Sequence, residues 1–124
     1  MKRLAILGAS GHGTVVADAA LLAGWERVVF YDDAWPEVRA VDGWEIVGGS
    51  AELMRTAATC DGALVAIGDN GVRMAKLRAL GEAGVRVVSV LHPAAVVSPR
   101  AVVGAGSVVL AGAVVNPFAR LGMG

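Results

Sequence analysis

From Ala95 onward the sequence repeats every six residues, and this period limits the possible folds more than any other feature of the chain. Val97, Val103, Val109, Val115 and Leu121 stand six apart. Two residues before each stands a small one: Ala95, Ala101, Ser107, Ala113 and Ala119. Between them lie Val96, Val102, Val108, Val114 and then Arg120, while Gly104 and Gly122 directly follow their aliphatic residues. Consecutive matches on two columns define a repeat, so the tail is read as a stacked array. A hairpin would alternate with a period of two and turn on pairs such as Asn-Gly, which the tail lacks. A β-solenoid of triangular section instead uses one short flat side per hexad. The aliphatic residue then points inward. The small residue also faces inward near a corner, where a larger side chain would clash. Three hexads close one coil, and each coil is stabilised by stacking on its neighbour.

Ahead of the tail the pattern is different. Leu4-Ala5-Ile6-Leu7, Val28-Val29-Phe30-Tyr31 and Gly62 to Ile67 are short apolar runs, as buried parallel strands should be. A helix is predicted from Thr14 to Leu22, with Val15, Val16, Ala19, Ala20 and Leu22 as its stripe and Gly24 beyond its end. Glu45-Ile46-Val47 reads as a short extended piece. Ser50 suits the N-cap of a helix from Ala51 to about Thr56. Asp69 or Asn70 can cap another helix that runs to about Ala83, closed by Gly84. Val85 to Leu91 reads as the last strand of this block. Alternation of strands and helices predicts a doubly wound α/β layer with a parallel sheet. The expected organisation is therefore an α/β domain over residues 1–91 and the start of a β-helix over residues 92–124.

Composition narrows the function. Eleven Lys and Arg balance eleven Asp and Glu, a formal net charge of zero, which excludes a nucleic-acid grip built on bulk charge. Hydrophobic residues make up 56% of the chain, enough to offset chain entropy. No apolar run is long enough to span a bilayer, and the first run is interrupted too early for a signal peptide. Cys60 is the single cysteine, so no intramolecular disulfide and no thiolate metal cage is expected, and a reducing cytoplasmic compartment is the simplest setting.

Candidate ligand residues fall at the predicted C-terminal ends of the strands. Gly8-x-x-Gly11-x-Gly13 follows a strand and opens a helix, where backbone amides favour negative charge. A tight structural turn explains the same glycines. The spacing is not the dinucleotide Gly-x-Gly-x-x-Gly fingerprint, and the only tyrosine, Tyr31, belongs to no Tyr-x-x-x-Lys pair, so a nicotinamide oxidoreductase is disfavoured. His12 can meet a phosphate or a sugar hydroxyl, or face solvent. Asp32 and Asp33 stand where a carboxylate meets ribose hydroxyls in nucleotide-binding α/β folds, or form a solvated turn. Gly68, Asp69 and Asn70 can line the same edge while also capping a helix. Arg73, one turn further, can pair with phosphate or lie on the surface. Cys60 and the tryptophans Trp25, Trp35 and Trp44 read as packing residues. Asn116 replaces the usual glycine position of its hexad, as a stacked polar ladder tolerates or as a loop excursion would require.

An α/β domain that opens with Ala9-Ser10-Gly11-His12-Gly13-Thr14-Val15-Val16-Ala17-Asp18 and leads into a hexapeptide tail resembles the NeuD/PglD family of sugar acyltransferases. Asp32-Asp33, Ala66-Ile67-Gly68-Asp69-Asn70 with Arg73, and His92-Pro93-Ala94-Ala95-Val96-Val97-Ser98-Pro99 carry the same resemblance. It implies a Rossmann-like domain that holds a sugar acceptor, in several relatives a nucleotide-linked amino sugar. On this reading Ser10, Gly11, His12, Gly13, Asp32, Asp33, Gly68 and Asn70 bind substrate. It also implies a left-handed parallel β-helix that assembles as a homotrimer, with acetyl-CoA between neighbouring β-helices and a β-helix histidine as general base. That histidine lies further along in the family, and His12 and His92 do not match it. The expectation is therefore a chain ending before the catalytic part, with the acetyl-CoA site mostly beyond residue 124. No metal, nucleic acid or membrane partner is expected. The alternative is a nucleotide-sugar-binding module without catalysis.

Overall fold

The computed structural model describes residues 2–124, so Met1, placed in the expected first domain, lies outside the described residues. The chain runs through β1 (Arg3–Leu7), α1 (Gly11–Leu22), β2 (Arg27–Tyr31), a hairpin of β3 (Ala40–Val41) and β4 (Trp44–Glu45), α2 (Ser50–Thr56), β5 (Gly62–Val65) and α3 (Asn70–Glu82). The sheet has the order β2-β1-β5, all parallel. Single parallel bridges set Ile46 beside Phe30 and Val87 beside Ala63, extending it at both edges.

Alternate strand residues supply two buried faces, as a doubly covered sheet requires. Leu4, Ile6, Val28, Phe30 and Leu64 pack with Val16, Ala17, Ala19 and Ala20 of α1. Ala5, Leu7, Val29, Tyr31 and Val65 pack with Leu53 of α2 and Leu77 and Leu80 of α3. The chain moves from β1 outward to β2 and later returns to β1's other side as β5. This reversal opens a crevice at the strands' C-terminal ends, where α/β sheets receive ligands. Helix α1 begins at Gly11, three residues before the predicted start. Gly11-His12-Gly13 adds nothing to an apolar stripe, so hydrophobic periodicity does not register that turn.

The tail is a three-faced β-helix. Its strands are β6 (Val90–Leu91), β7 (Val96–Val97), β8 (Val102–Val103), β9 (Val108–Val109), β10 (Val114–Val115) and β11 (Arg120–Leu121). Parallel pairs join β6 to β9, β7 to β10 and β8 to β11, with Val90 opposite Val108, Val96 opposite Val114 and Val102 opposite Arg120. Each pair is eighteen residues apart (108 − 90, 114 − 96, 120 − 102), which is three hexads per coil. Val109 and Val115 are buried in the aliphatic column and Ser107 in the small column. Val96 and Val114 point outward, 64% and 63% exposed.

The run Val85 to Leu91, expected as one sheet strand, is divided. Val87 alone bridges β5. From Ser89 the chain already follows the hexad: Ser89 bonds within the coil, and Val90–Leu91 is the first rung. Val90 faces outward from the β-helix yet is only 1% exposed, because it joins the sheet core on the α1 side together with Val108 and Leu110. The β6–β9 face is thus covered by the chain's own α/β layer, and the other two faces are not. At the corners, Gly106, Gly112 and Gly124 have φ of +78°, +78° and +82°, and Phe118 holds the equivalent position at +65°.

Candidate functional site

Three loops meet at the C-terminal edge of the sheet. The first runs from β1 into α1. Gly8 donates its amide to the Tyr31 carbonyl at 2.8 Å, tying the loop to β2. A Cβ on Gly8 would stand 2.5 Å from the Ala66 carbonyl oxygen, and one on Gly13 would collide with the Gly8 carbonyl oxygen. These two glycines are required for close packing of backbone on backbone. Gly11 is different. Its helical backbone has no positive φ, and a Cβ there would meet nothing within 4 Å. Gly68, across the crevice in the loop from β5 to α3, has the same open surroundings.

The start of α1 is open to an anion. Ser10 makes no side-chain cap, and the first turn has no acidic residue. By contrast, α3 is capped by Asp69, which accepts from the Val72 amide at 2.8 Å. At α2 the Ser50 amide donates to Asp33 Oδ1 at 2.7 Å and Glu52 lies in the first turn. Of these three α-helices, α1 alone has no carboxylate as its cap or in its first turn; the nearest, Asp32, is spent on the Ala9 amide ahead of the helix.

The two aspartates have distinct jobs. Asp32 pins two loops: its Oδ2 accepts from the Ala9 amide at 2.8 Å and its Oδ1 from the Ala34 amide at 2.9 Å. Asp33 is exposed and accepts from the Ser50 amide and from Ser50 Oγ at 2.8 Å, with Lys76 Nζ at 3.4 Å from its Oδ2. The Ser50 amide is the main cause, helped by the Ser50 hydroxyl and the Lys76 ammonium, that holds the Asp33 carboxyl below the ordinary carboxylate value against the opposing effect of burial. Leu7, Gly8, Asp32, Asp33 and Ile67 line a cavity of about 230 Å³.

A second cleft, of about 170 Å³, lies between the sheet edge and the β-helix, lined by His12, Val65, Arg73, Gly106, Val108, Leu110 and Gly124. His12 is therefore at the boundary between the two parts of the chain. Asn70 is exposed at the first position of α3, and Ser10 immediately precedes α1. Gly13 is buried beneath Gly8 and lines neither cavity. His92 lies at the entry to the β-helix, where its Nδ1 accepts from the Ala94 amide at 2.9 Å. Among the described residues no three His, Cys, Asp or Glu side chains could hold a metal ion, and no helix is long and apolar enough to cross a membrane.

An anion-ready crevice at a topological switch, joined directly to a β-helix, defines a class: a Rossmann-like layer carrying a hexapeptide coil. The family described as the PglD N-terminal domain matches residues 3–80, well over half of the chain, and the chain belongs to that family, the NeuD/PglD type. The acetyltransferase domain of PglB from Neisseria gonorrhoeae, solved in complex with acetyl coenzyme A, is 35% identical with a TM-score of 0.91, over 99% of this chain and 60% of that one. PerB from Caulobacter crescentus, solved with CoA and GDP-perosamine, is 31% identical with a TM-score of 0.89, over 99% of this chain and 58% of that one. A histidine-to-asparagine mutant of the perosamine N-acetyltransferase from the same organism, also with CoA and GDP-perosamine, gives 31% and 0.88 over 97% and 57%. The chain spans between 57% and 60% of the length of these proteins. Curated proteins gave no match.

Proposed function

We propose that this chain holds the acceptor of an acetyl-CoA-dependent acetyltransferase acting on a nucleotide-linked amino sugar, in glycan or polysaccharide biosynthesis. The observation that carries this reading is the uncapped start of α1, flanked by Gly11 and Gly68, two glycines that the fold itself does not need. Phosphate oxygens would meet the first amides of α1. The nucleoside would lie toward Asp32 and Asp33, and the sugar toward His12 and the β-helix, with Ser10, Gly68 and Asn70 shaping the walls and Gly13 acting only beneath them, as packing under Gly8. Relatives solved with CoA and GDP-perosamine support this substrate class.

The division of labour follows. The α/β layer recognises the acceptor, and the coil that starts at Ser89 and runs on through residues 92–124 begins the β-helix on which subunits assemble. In the whole protein the acceptor's amine or hydroxyl attacks the thioester carbonyl of acetyl-CoA, loses its proton to a base and expels the CoA thiol. None of the residues described above is assigned as that base. A homotrimer is supported by the two β-helix faces that the α/β layer leaves uncovered, since Val96 and Val114 on one of them are large, apolar and outward-facing. A cytoplasmic setting, where nucleotide sugars and acetyl-CoA are made, fits the lone Cys60.

Calorimetric titration of the chain with GDP- and UDP-linked amino sugars tests the acceptor site. A thiol-release assay on the whole protein with acetyl-CoA tests the transfer. Saturable binding of a nucleotide sugar is the expected result; no binding of any of them would overturn the reading. Binding without thiol release would leave a recognition module.

A further inference from the structure

Arg73 is placed to meet phosphate, yet its guanidinium is turned onto its own loop. Nη1 donates to the Ile67 carbonyl at 3.0 Å and to the Gly68 carbonyl at 3.4 Å, and Nη2 donates to Asn70 Oδ1. Its Nε is buried and unpartnered, 3.7 Å from where a Cβ on Gly124 would stand. The next turn of α3 seats the β-helix corner: Cβ positions on Gly106 and Gly124 would lie 3.1 and 3.0 Å from Leu77, and that on Gly124 would lie 3.1 Å from Met74 Sδ. Arg73 therefore fastens the crevice loop and, with Gly106 and Gly124, lines the cleft beside the β-helix corner.

We propose that Arg73 is a positioning residue, not a phosphate ligand: its planar fork fixes Gly68 and Asn70 at the crevice, in the cleft that borders the β-helix corner. A planar guanidinium can satisfy three acceptors at set angles, and an ammonium on the same stem cannot. Charge alone does not replace it. Its consequence for ligand affinity rests on the acceptor-site reading; its consequence for the loop does not.

Arg73→Lys keeps the charge and Arg73→Gln keeps a long polar stem, so comparing them separates charge from geometry. Amide exchange is read at Val72 and at residue 73, whose amides bond the Asp69 side chain and carbonyl. Both variants are expected to exchange about tenfold faster there, and to bind the nucleotide sugar about tenfold more weakly, as charge-assisted bonds to a loop are lost. The loss of affinity should be the same at low and high salt. Unchanged exchange in both variants would overturn the proposal. So would wild-type affinity in Arg73→Lys beside a loss in Arg73→Gln, the pattern of a point charge on phosphate. Exchange is measured without ligand, so a wild type that binds no nucleotide sugar refutes the acceptor site alone and leaves the loop claim to the exchange result. If neither variant folds, Asn70→Ala removes one acceptor at an exposed position. Faster exchange at Val72 supports the proposal there, and unchanged exchange counts against it.

Discussion

The Ser89 hydroxyl accepts the Ser107 backbone amide at 3.2 Å and donates to the Gly104 carbonyl at 2.8 Å, so two serines one coil apart are stitched through the β-helix interior. Ser107 repeats the pattern, donating from Oγ to the Gly122 carbonyl at 3.0 Å. Ser89→Ala would leave the Ser107 amide and the part-buried Gly104 carbonyl without these partners. Urea unfolding is expected to show a loss of about 1–3 kcal/mol, the cost of orphaned buried polar groups. A loss within experimental scatter would mean that the serines are merely small.

The glycines of the crevice divide into two kinds. Gly8→Ala and Gly13→Ala push a methyl into backbone and should destabilise by about 2–4 kcal/mol. Gly11→Ala lies at a helix start in open space and should melt within about 1 kcal/mol of the parent. Gly68→Ala should do the same. Both open-space variants should weaken nucleotide-sugar binding by about tenfold, or roughly 1.4 kcal/mol. Melting curves run beside calorimetry check the contrast, which disappears if all four behave alike.

Asp33 links acidity to stability. Its folded carboxyl titrates below the ordinary value, chiefly because the Ser50 amide bonds the carboxylate. A depressed folded pKa contributes stability that is present above the unfolded pKa and lost as pH falls through the folded one. The contribution should thus be whole at neutral pH and fade below about pH 4. Asp33→Asn should flatten that acid limb and loosen the start of α2. Denaturant midpoints from pH 2 to pH 7 (roughly the span of carboxylate titration) compare the two proteins.

Phe118 occupies a left-handed corner that three glycines fill elsewhere, and it is 78% exposed. Phe118→Gly should relieve that conformation and raise stability by about 1 kcal/mol, net of glycine's greater unfolded entropy. A lowered melting temperature would show that the ring contributes contacts.

Val114→Arg tests assembly. It sets a charge on the uncovered β7–β10 face without touching the interior column. If the whole protein assembles as the proposed homotrimer, sedimentation should shift to smaller species. A trimer that tolerates the arginine places the subunit interface elsewhere.

Much of this architecture is legible in the residues because burial imposes a period. The tail's inward columns stand out because any polar residue there other than a small serine would be trapped. The strands of the sheet stand out because both faces are covered. The first rung was obscured by chemistry: Val85, Val87, Val88 and Val90 form one β-branched run, and nothing in composition marks where sheet ends and coil begins. Ser89-Val90-Leu91 did carry the hexad phase, eighteen residues before Ser107-Val108-Val109. The β3–β4 hairpin also had a visible signal, Asp42-Gly43, whose φ values of +44° and +86° suit a two-residue turn. The candidate site is marked in the residues as a cluster of loops but not as a set of roles. Spacing places Gly8, Gly11 and Gly13 in one loop, and only three-dimensional neighbours separate the packed from the open. Likewise Arg73 is a cation near a presumed phosphate on paper, while its acceptors are carbonyls, which no sequence pattern marks.

Eighteen-residue pairing also governs how such a tail can be edited. Excising twelve residues between the first and fourth rungs would bring Arg120 to the station of Val108 (120 − 12) and press a guanidinium into the apolar seam beside α1. Insertions and deletions that respect whole turns leave every side chain on its own wall. Length variation among natural sequences of this kind should therefore be quantised, with departures from the quantum confined to loops that bulge from a corner.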